Sequence, residues 1–281
     1  MAIVNATPDS FSDGGRWAGR TSQGVDTARV CEACAEWVVG GVAVLDVGGE
    51  STRPGAAMVS TTEELARVLP VLSALREDKR CSTAALSIDT RHAEVAAAAI
   101  EAGAHVVNDV SGLADDQMAE VVAGARAGLV IGHMRGTPQT MMDAPHFPRL
   151  LEDVARDLER SMDRASRAGV ADERIVLDPC IGFGKDTSQS AALTASSGWF
   201  EERLGRPVLI GASRKRFLGE MTGRPVDERV LSSVAAALVA VERGAAIVRV
   251  HDVLATLEAL GVREGILGAR REVLREHGDS A

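Results

Sequence analysis

The chain has no tyrosine, and aromatic residues make up only 3% of its 281 positions. So thin an aromatic supply argues against the stacking platforms that hold single-stranded nucleic acids. Basic residues are outnumbered too, 31 against 40 acidic ones, for a net charge of −9. An acidic chain is ill suited to gripping nucleic acid or an anionic membrane surface. Long apolar runs are missing: the longest, Val234 to Val241, falls far short of the ~20 residues that span a bilayer. The N-terminus, Met1-Ala-Ile-Val-Asn5, shows no basic segment followed by an apolar one, so no secretory signal is expected. Four cysteines are too few for a disulfide framework at this length. Cys31-Glu-Ala-Cys34 spells CxxC, but it sits in a helical pattern with no second pair at zinc spacing, and reads as two small residues on a helix. The expectation is a cytoplasmic protein with no membrane partner and no nucleic-acid partner.

What is present is a globular composition, 46% hydrophobic and 25% charged, and one recurring unit. A helical stretch ends near a glycine, a short run of Val, Ile, Leu and Ala follows, and the run stops at a polar residue. Gly41 leads through an apolar run to Asp46, Gly103 to Asn108-Asp109, Gly128 to His133, and Gly244 to His251. Four further runs, ending at Asn5, Asp89, Asp178 and Ser213, lack that glycine or shift it. Glycine past a helix end suits the left-handed cap, and short, wholly apolar runs suit strands covered on both faces. Helical patterns lie between them, as at 62–77, 93–102, 115–127, 150–168 and 226–243. Eight strands alternating with about eight helices predict a (β/α)8 barrel, an α/β single domain over residues 1–281. The rival, an open doubly wound sheet, would want a tight glycine turn after strand one, where this chain has Ala6-Thr-Pro-Asp-Ser-Phe-Ser-Asp-Gly-Gly15.

In a barrel the polar strand ends form one ring around the mouth that holds the chemistry. Side chains two apart on a strand share a face, so Ser87 points with Asp89, and Arg249 with His251. Ser213-Arg-Lys-Arg216 after strand seven and Arg249-Val-His251 on strand eight offer the groups that bind phosphoryl oxygens. Asp89, Asn108 and Asp178, expected on the opposite side of the mouth, suit a heterocycle with an amidine edge. The glycine-rich loops 9–15 and 48–55 are read as lids, while 133–148 carries no comparable clue.

These segments resemble the motifs of dihydropteroate synthases. The blocks are Asn5-Ala-Thr-Pro-Asp-Ser-Phe-Ser-Asp-Gly-Gly, Asp46-Val-Gly-Gly-Glu-Ser-Thr-Arg-Pro-Gly, Ser87-Ile-Asp-Thr, Asn108-Asp-Val-Ser-Gly, Leu177-Asp-Pro-Cys-Ile-Gly-Phe-Gly-Lys, Gly211-Ala-Ser-Arg-Lys-Arg-Phe-Leu-Gly and Arg249-Val-His-Asp-Val. They occur in the family's order and span nearly the whole chain. The resemblance implies a transferase that joins 6-hydroxymethyl-7,8-dihydropterin diphosphate to p-aminobenzoate and releases diphosphate, with Mg2+ and as a homodimer. Carried over by motif position, Asp89, Asn108, Asp178 and Lys215 hold the pterin, and Arg249, Val250 (through its backbone) and His251 hold the diphosphate together with Ser213 and Thr52. Asn5 is the implied Mg2+ ligand. Phe11, Thr52, Arg53, Pro54, Phe183, Ser213, Arg214, Lys215 and Arg216 shape the p-aminobenzoate pocket. The implied catalytic groups are Arg53, Lys215, Arg249 and His251.

The expected chemistry is an SN1-like substitution, in which positive groups stabilise departing diphosphate and no strong general base is required. His133 and His251 are the candidate bases at the mouth. Three features depart from the family's pattern: Gly132 where an apolar pterin contact is usual, Cys180 where glycine is usual, and the stretch 186–191. They leave room for a sulfonamide-insensitive variant. A corrinoid-type pterin methyltransferase would not need Thr52-Arg53-Pro54 or Ser213-Arg214-Lys215, and a non-catalytic pterin-binding paralogue would not need the full cationic set.

Overall fold

The computed structural model describes residues 1–7, 25–53, 55–143 and 146–276. Six strands, β1 (Ala2–Asn5), β2 (Val44–Gly48), β3 (Ala85–Asp89), β4 (Val106–Asp109), β5 (Gly128–Gly132) and β6 (Ile175–Asp178), pair in parallel in sequence order. A shorter pair follows, β7 (Leu209–Ile210) with β8 (Ile247–Val248). Single parallel bridges, Leu177 to Val208 and Ala2 to Val250, join the pair to both edges of the larger sheet. At the last seam the Val250 amide donates to Met1 O at 3.1 Å and the Ile3 amide to Val250 O at 3.0 Å. The ring is thereby closed, and the fold is the (β/α)8 barrel expected.

The helical shell is richer than a strict alternation. Single helices α1 (Thr27–Val39), α2 (Thr61–Glu77), α3 (Ala93–Glu101), α4 (Met118–Ala125) and α5 (Leu150–Arg167) follow β1 to β5. Two then fill each of the next gaps: α6 (Thr187–Thr194) and α7 (Ser197–Leu204), then α8 (Arg216–Thr222) and α9 (Val230–Glu242); α10 (Val253–Glu276) ends the described chain. Ten helices among the described residues correct the expected eight. One cause is local, because Gly223 caps α8 in the left-handed region at φ 70° and Pro225 follows it. The helix expected over 115–127 begins later, because the Asp115 carboxylate accepts from the Gln117 and Ala93 amides and makes a turn.

Alternate strand residues serve two different surroundings. Val4, Leu45, Val47, Leu86, Ile88, Val107, Leu129, Ile131 and Leu177 join the apolar core that also takes in the helices. The intervening positions of β2 to β4 carry Asp46, Ser87, Asp89 and Asn108, aligned in register across neighbouring strands: Asp46 with Ser87, and Asp89 with Asn108. The helix-facing side thus supplies apolar burial, and the opposite side supplies the site.

Candidate active site

A cleft of about 530 Å³ opens at the C-terminal ends of the strands. Its wall brings together Asn5, Thr52, Arg53, Asp89, Phe183, Ser213, Arg214, Lys215, Arg216, Arg249 and His251. Asn108 and Asp178 are buried and lie outside that wall. Phe11, Pro54 and the first expected lid lie outside the described residues. Val250 sits in the apolar core, and its amide is taken by barrel closure. The 48–55 loop is anchored at both ends: Glu50 pairs with Arg91 at 2.8 and 3.0 Å, and Gly55 N donates to Pro138 O at 3.0 Å. The segment after β5, which carries no clue in the sequence, therefore buttresses that loop and also lends Met141 and Met142 to the cleft.

The anionic and cationic flanks were expected on opposite sides of the mouth, and the structure corrects this. Arg249 reaches across the barrel, donating through Nε to Asp46 Oδ2 and through Nη2 to Asp89 Oδ2, each at 2.6 Å. A guanidinium just after β8 is long enough to meet carboxylates on β2 and β3 once the ring is closed. Asp46 is fully buried and also accepts from Ser87 Oγ at 2.5 Å and Asn108 Nδ2 at 3.0 Å. Among the side chains that meet at Asp46 and Arg249, two acceptors are buried with no donor: Asp89 Oδ1 and Asn108 Oδ1. Burial pushes the Asp89 carboxyl up to about 7, a rise that Arg249 opposes and Asp46 and Glu64 reinforce. Burial likewise raises Asp178, against the opposing hydrogen bond from the Cys180 amide to its Oδ1 at 2.7 Å.

At the β7–β8 corner the Ser213 hydroxyl lies 3.1 Å from the His251 amide and 3.2 Å from its Nδ1. His251 is held well below the ordinary histidine range, first by burial and then by Arg249, Arg214, Lys215 and Arg53. It is neutral at pH 7. Lys215 Nζ stands 4.2 Å from the Phe183 ring centroid, and burial lowers its pKa to about 8. Arg214, at φ 58°, is paired with Asp252, and Arg216 pairs along α8 with Glu220. The cationic corner is therefore partly compensated within the fold.

His133 is not on the cleft wall. It is buried, with Nδ1 3.1 Å from Lys185 Nζ and Nε2 3.2 Å from Asp157 Oδ2. An ammonium can only donate, so Nδ1 accepts and the proton sits on Nε2. Burial, then Lys185, lowers the pKa of His133 to about 4, and its lone pair is engaged, so its expected place as a base at the mouth is corrected. Lys185 also reaches the carbonyls of His133, Cys180 and Phe183 at 2.9 to 3.1 Å. Asp46 and Lys185 stand in the quoted motifs but carry no assigned role there. Asp46 had a signal, because it shares the strand-end pattern and the face of Ser87.

The match to the pterin binding enzyme family covers residues 1–251. The dihydropteroate synthase of Escherichia coli is 38% identical over 270 residues, 96% of this chain and 92% of that protein. The dihydropteroate synthase of Yersinia pestis, solved as a sulfonamide drug complex, superposes with a TM-score of 0.87 at 36% identity, covering 95% of this chain and 94% of the other. That of Xanthomonas albilineans, with 4-aminobenzoic acid, gives 0.83 at 42% identity, covering 95% and 92%. The chain belongs to the dihydropteroate synthase family. It is a transferase of that family.

Two of its departures from the dihydropteroate synthase pattern prove to be neighbours. A Cβ on Gly132 would lie 2.5 Å from Val110 Cα and 2.8 Å from Cys180 Sγ. No side chain fits there, because the β4 turn and the Cys180 thiol occupy the space. Cys180 itself holds φ 51° without being glycine, a conformation that costs about 1 kcal/mol or more.

Proposed function

We propose that the chain condenses 6-hydroxymethyl-7,8-dihydropterin diphosphate with p-aminobenzoate, yielding 7,8-dihydropteroate and diphosphate in folate synthesis. The observation that carries this reading is the pair of buried acceptors without donors, Asp89 Oδ1 and Asn108 Oδ1, next to a corner bearing Arg249, Lys215 and Ser213. A buried acceptor left unpaired costs about 1–3 kcal/mol. The N–H groups along a pterin edge would remove that cost, and the cations would meet the phosphoryl oxygens. Arg249 engages two of its five N–H groups with Asp46 and Asp89, leaving three for phosphate.

The bond from the pterin methylene carbon to the diphosphate oxygen breaks with its electron pair on oxygen. Arg249, Lys215 and Arg53 stabilise that developing charge, and His251 can take up a proton as the anion arrives. Asp89 and Asp178 stand as carboxylates near the cation left on the pterin. The neutral arylamine then forms the new N–C bond and loses a proton to water, with Phe183 and Lys215 as the wall that orients it. Asn5, half-buried at the end of β1, lines the same cleft, and its amide oxygen is the hard donor that Mg2+ accepts beside waters and phosphate oxygens. Mg2+, when bound there, would supply further charge neutralisation to the leaving group.

The same reading includes a homodimer, which rests on family resemblance, and a cytoplasmic location, which rests on the sequence expectation above. Its finer part is the sulfonamide-insensitive variant: Cys180 packs in one small cluster with Phe183, so the aminobenzoate wall rests on an altered support. The test is purified protein with Mg2+ and both substrates, followed by diphosphate release and dihydropteroate formation. Folded protein that binds pterin yet releases no diphosphate would be the binding paralogue instead. Turnover that persists with sulfonamide in excess over p-aminobenzoate supports the insensitive variant, and competitive inhibition removes it.

A further inference from the structure

We propose that Asp46 is a positioning residue that sets both ends of the site at once, fixing the amide of Asn108, which meets the pterin ring, and the guanidinium of Arg249, which meets the diphosphate. The inference rests on the function proposed above and deepens it by giving a role to a residue off the cleft wall.

An ionised carboxylate only accepts hydrogen bonds. Asp46 is the third of the five residues of β2 and is 0% exposed. Three donors converge on it from β3, β4 and the residue just after β8: Ser87 Oγ at 2.5 Å on Oδ1, then Asn108 Nδ2 at 3.0 Å and Arg249 Nε at 2.6 Å on Oδ2. Asn108 must therefore turn its NH2 group toward Asp46 and its carbonyl oxygen away. That is why Asn108 Oδ1 is the atom left buried without a donor. A flipped amide would set oxygen against oxygen and present N–H groups to the ligand, reversing what the site recognises. The Nε contact in turn fixes the guanidinium plane, so that Nη2 lands on Asp89 Oδ2. Ser87 locks the rotation of the carboxylate itself. One buried charge thus orients the ring-binding acceptor and the anion-binding cation together.

Asp46→Asn keeps the size of the side chain but adds a donor where three donors meet. Calorimetric titration with 6-hydroxymethylpterin, which lacks the diphosphate, and with inorganic diphosphate reads the two ends separately. Both dissociation constants should rise about tenfold or more, the scale of a lost charged hydrogen bond. The KM for the pterin diphosphate should rise and kcat fall, while the KM for p-aminobenzoate stays within about twofold. Weakening at one end only, at neither end, or equally for both substrates overturns the proposal, the last being what a generally loosened barrel gives. Ser87→Ala removes one clamp without touching a ligand-binding residue, and serves should Asp46→Asn fail to fold. It should weaken both probes together by about two- to fivefold, and an effect on one alone, or on neither, counts against the role. Wild-type protein that binds neither probe refutes the proposed function itself, and the positioning role falls with it. That result differs from a wild type and an Asp46→Asn variant that bind both equally well.

Discussion

Two charged networks are buried at the same end of the barrel, and they differ in how far their polar atoms are paired. Around Lys185, the ammonium has four acceptors within 3.1 Å, both ring nitrogens of His133 are engaged, and Asp157 takes His133 and Arg135. Around Asp46 and Arg249, two acceptors are left over. Both networks lost their hydration on folding, and only the first recovers all of it within the chain. A saturated network holds loops in place, here the turn from Cys180 to Lys185. An unsaturated one is completed by what binds.

The contrast predicts different losses. Arg249→Ala leaves Asp46 and Asp89 buried without their cation and strips the anion end; turnover should fall by about 10³ or more, read in a steady-state assay on folded protein. The comparison breaks if Lys185→Met does the same. That variant should instead lose about 2–4 kcal/mol of stability in denaturant unfolding, with turnover within about tenfold of wild type.

The two ends of the open network should also exchange protons in opposite directions. Asp89 has its pKa raised from 3.8 to about 7, so between those values the folded chain holds a proton that the unfolded chain has lost. Its contribution to stability is therefore present at low pH and lost as the pH rises toward 7. N–H donors favour the ionised form, so pterin binding should release a proton near pH 7 and weaken about tenfold per unit below it. Diphosphate should be bound with proton uptake, since His251 starts neutral among cations. Calorimetry in two buffers of different ionisation heat reads both signs, and equal signs would remove the distinction. An effect well below that of Arg249→Ala is expected for Phe183→Leu, which removes the ring under Lys215 Nζ and should raise the KM for p-aminobenzoate about three- to tenfold.

Much of this was legible from residue order. Polar residues closing apolar runs placed Asn5, Asp89, Ser213, Arg249 and His251 at one mouth, and the cleft contains all five. His133 ends a run in the same way yet lies beneath the wall, because Lys185, in the loop after β6, reaches over and takes its lone pair. Arg214 reads as part of the cationic run 213–216 until the fold sets Asp252, just before α10, against it. Gly132 and Cys180 read as separate departures until the folded β5 and β6 ends put them in contact.

The sequence by itself determined the alternation of strands and helices, the side of each strand that faces the shell, and the chemical inventory of the rim. Those depend on periodicity and turn chemistry, which act over a few residues. Only the tertiary structure decided which charges meet. Arg249 and Asp46 are 203 residues apart and touch because the last strand closes against the first. Whether a buried acceptor is paired depends on every strand that surrounds it, and that is settled only when the ring is complete.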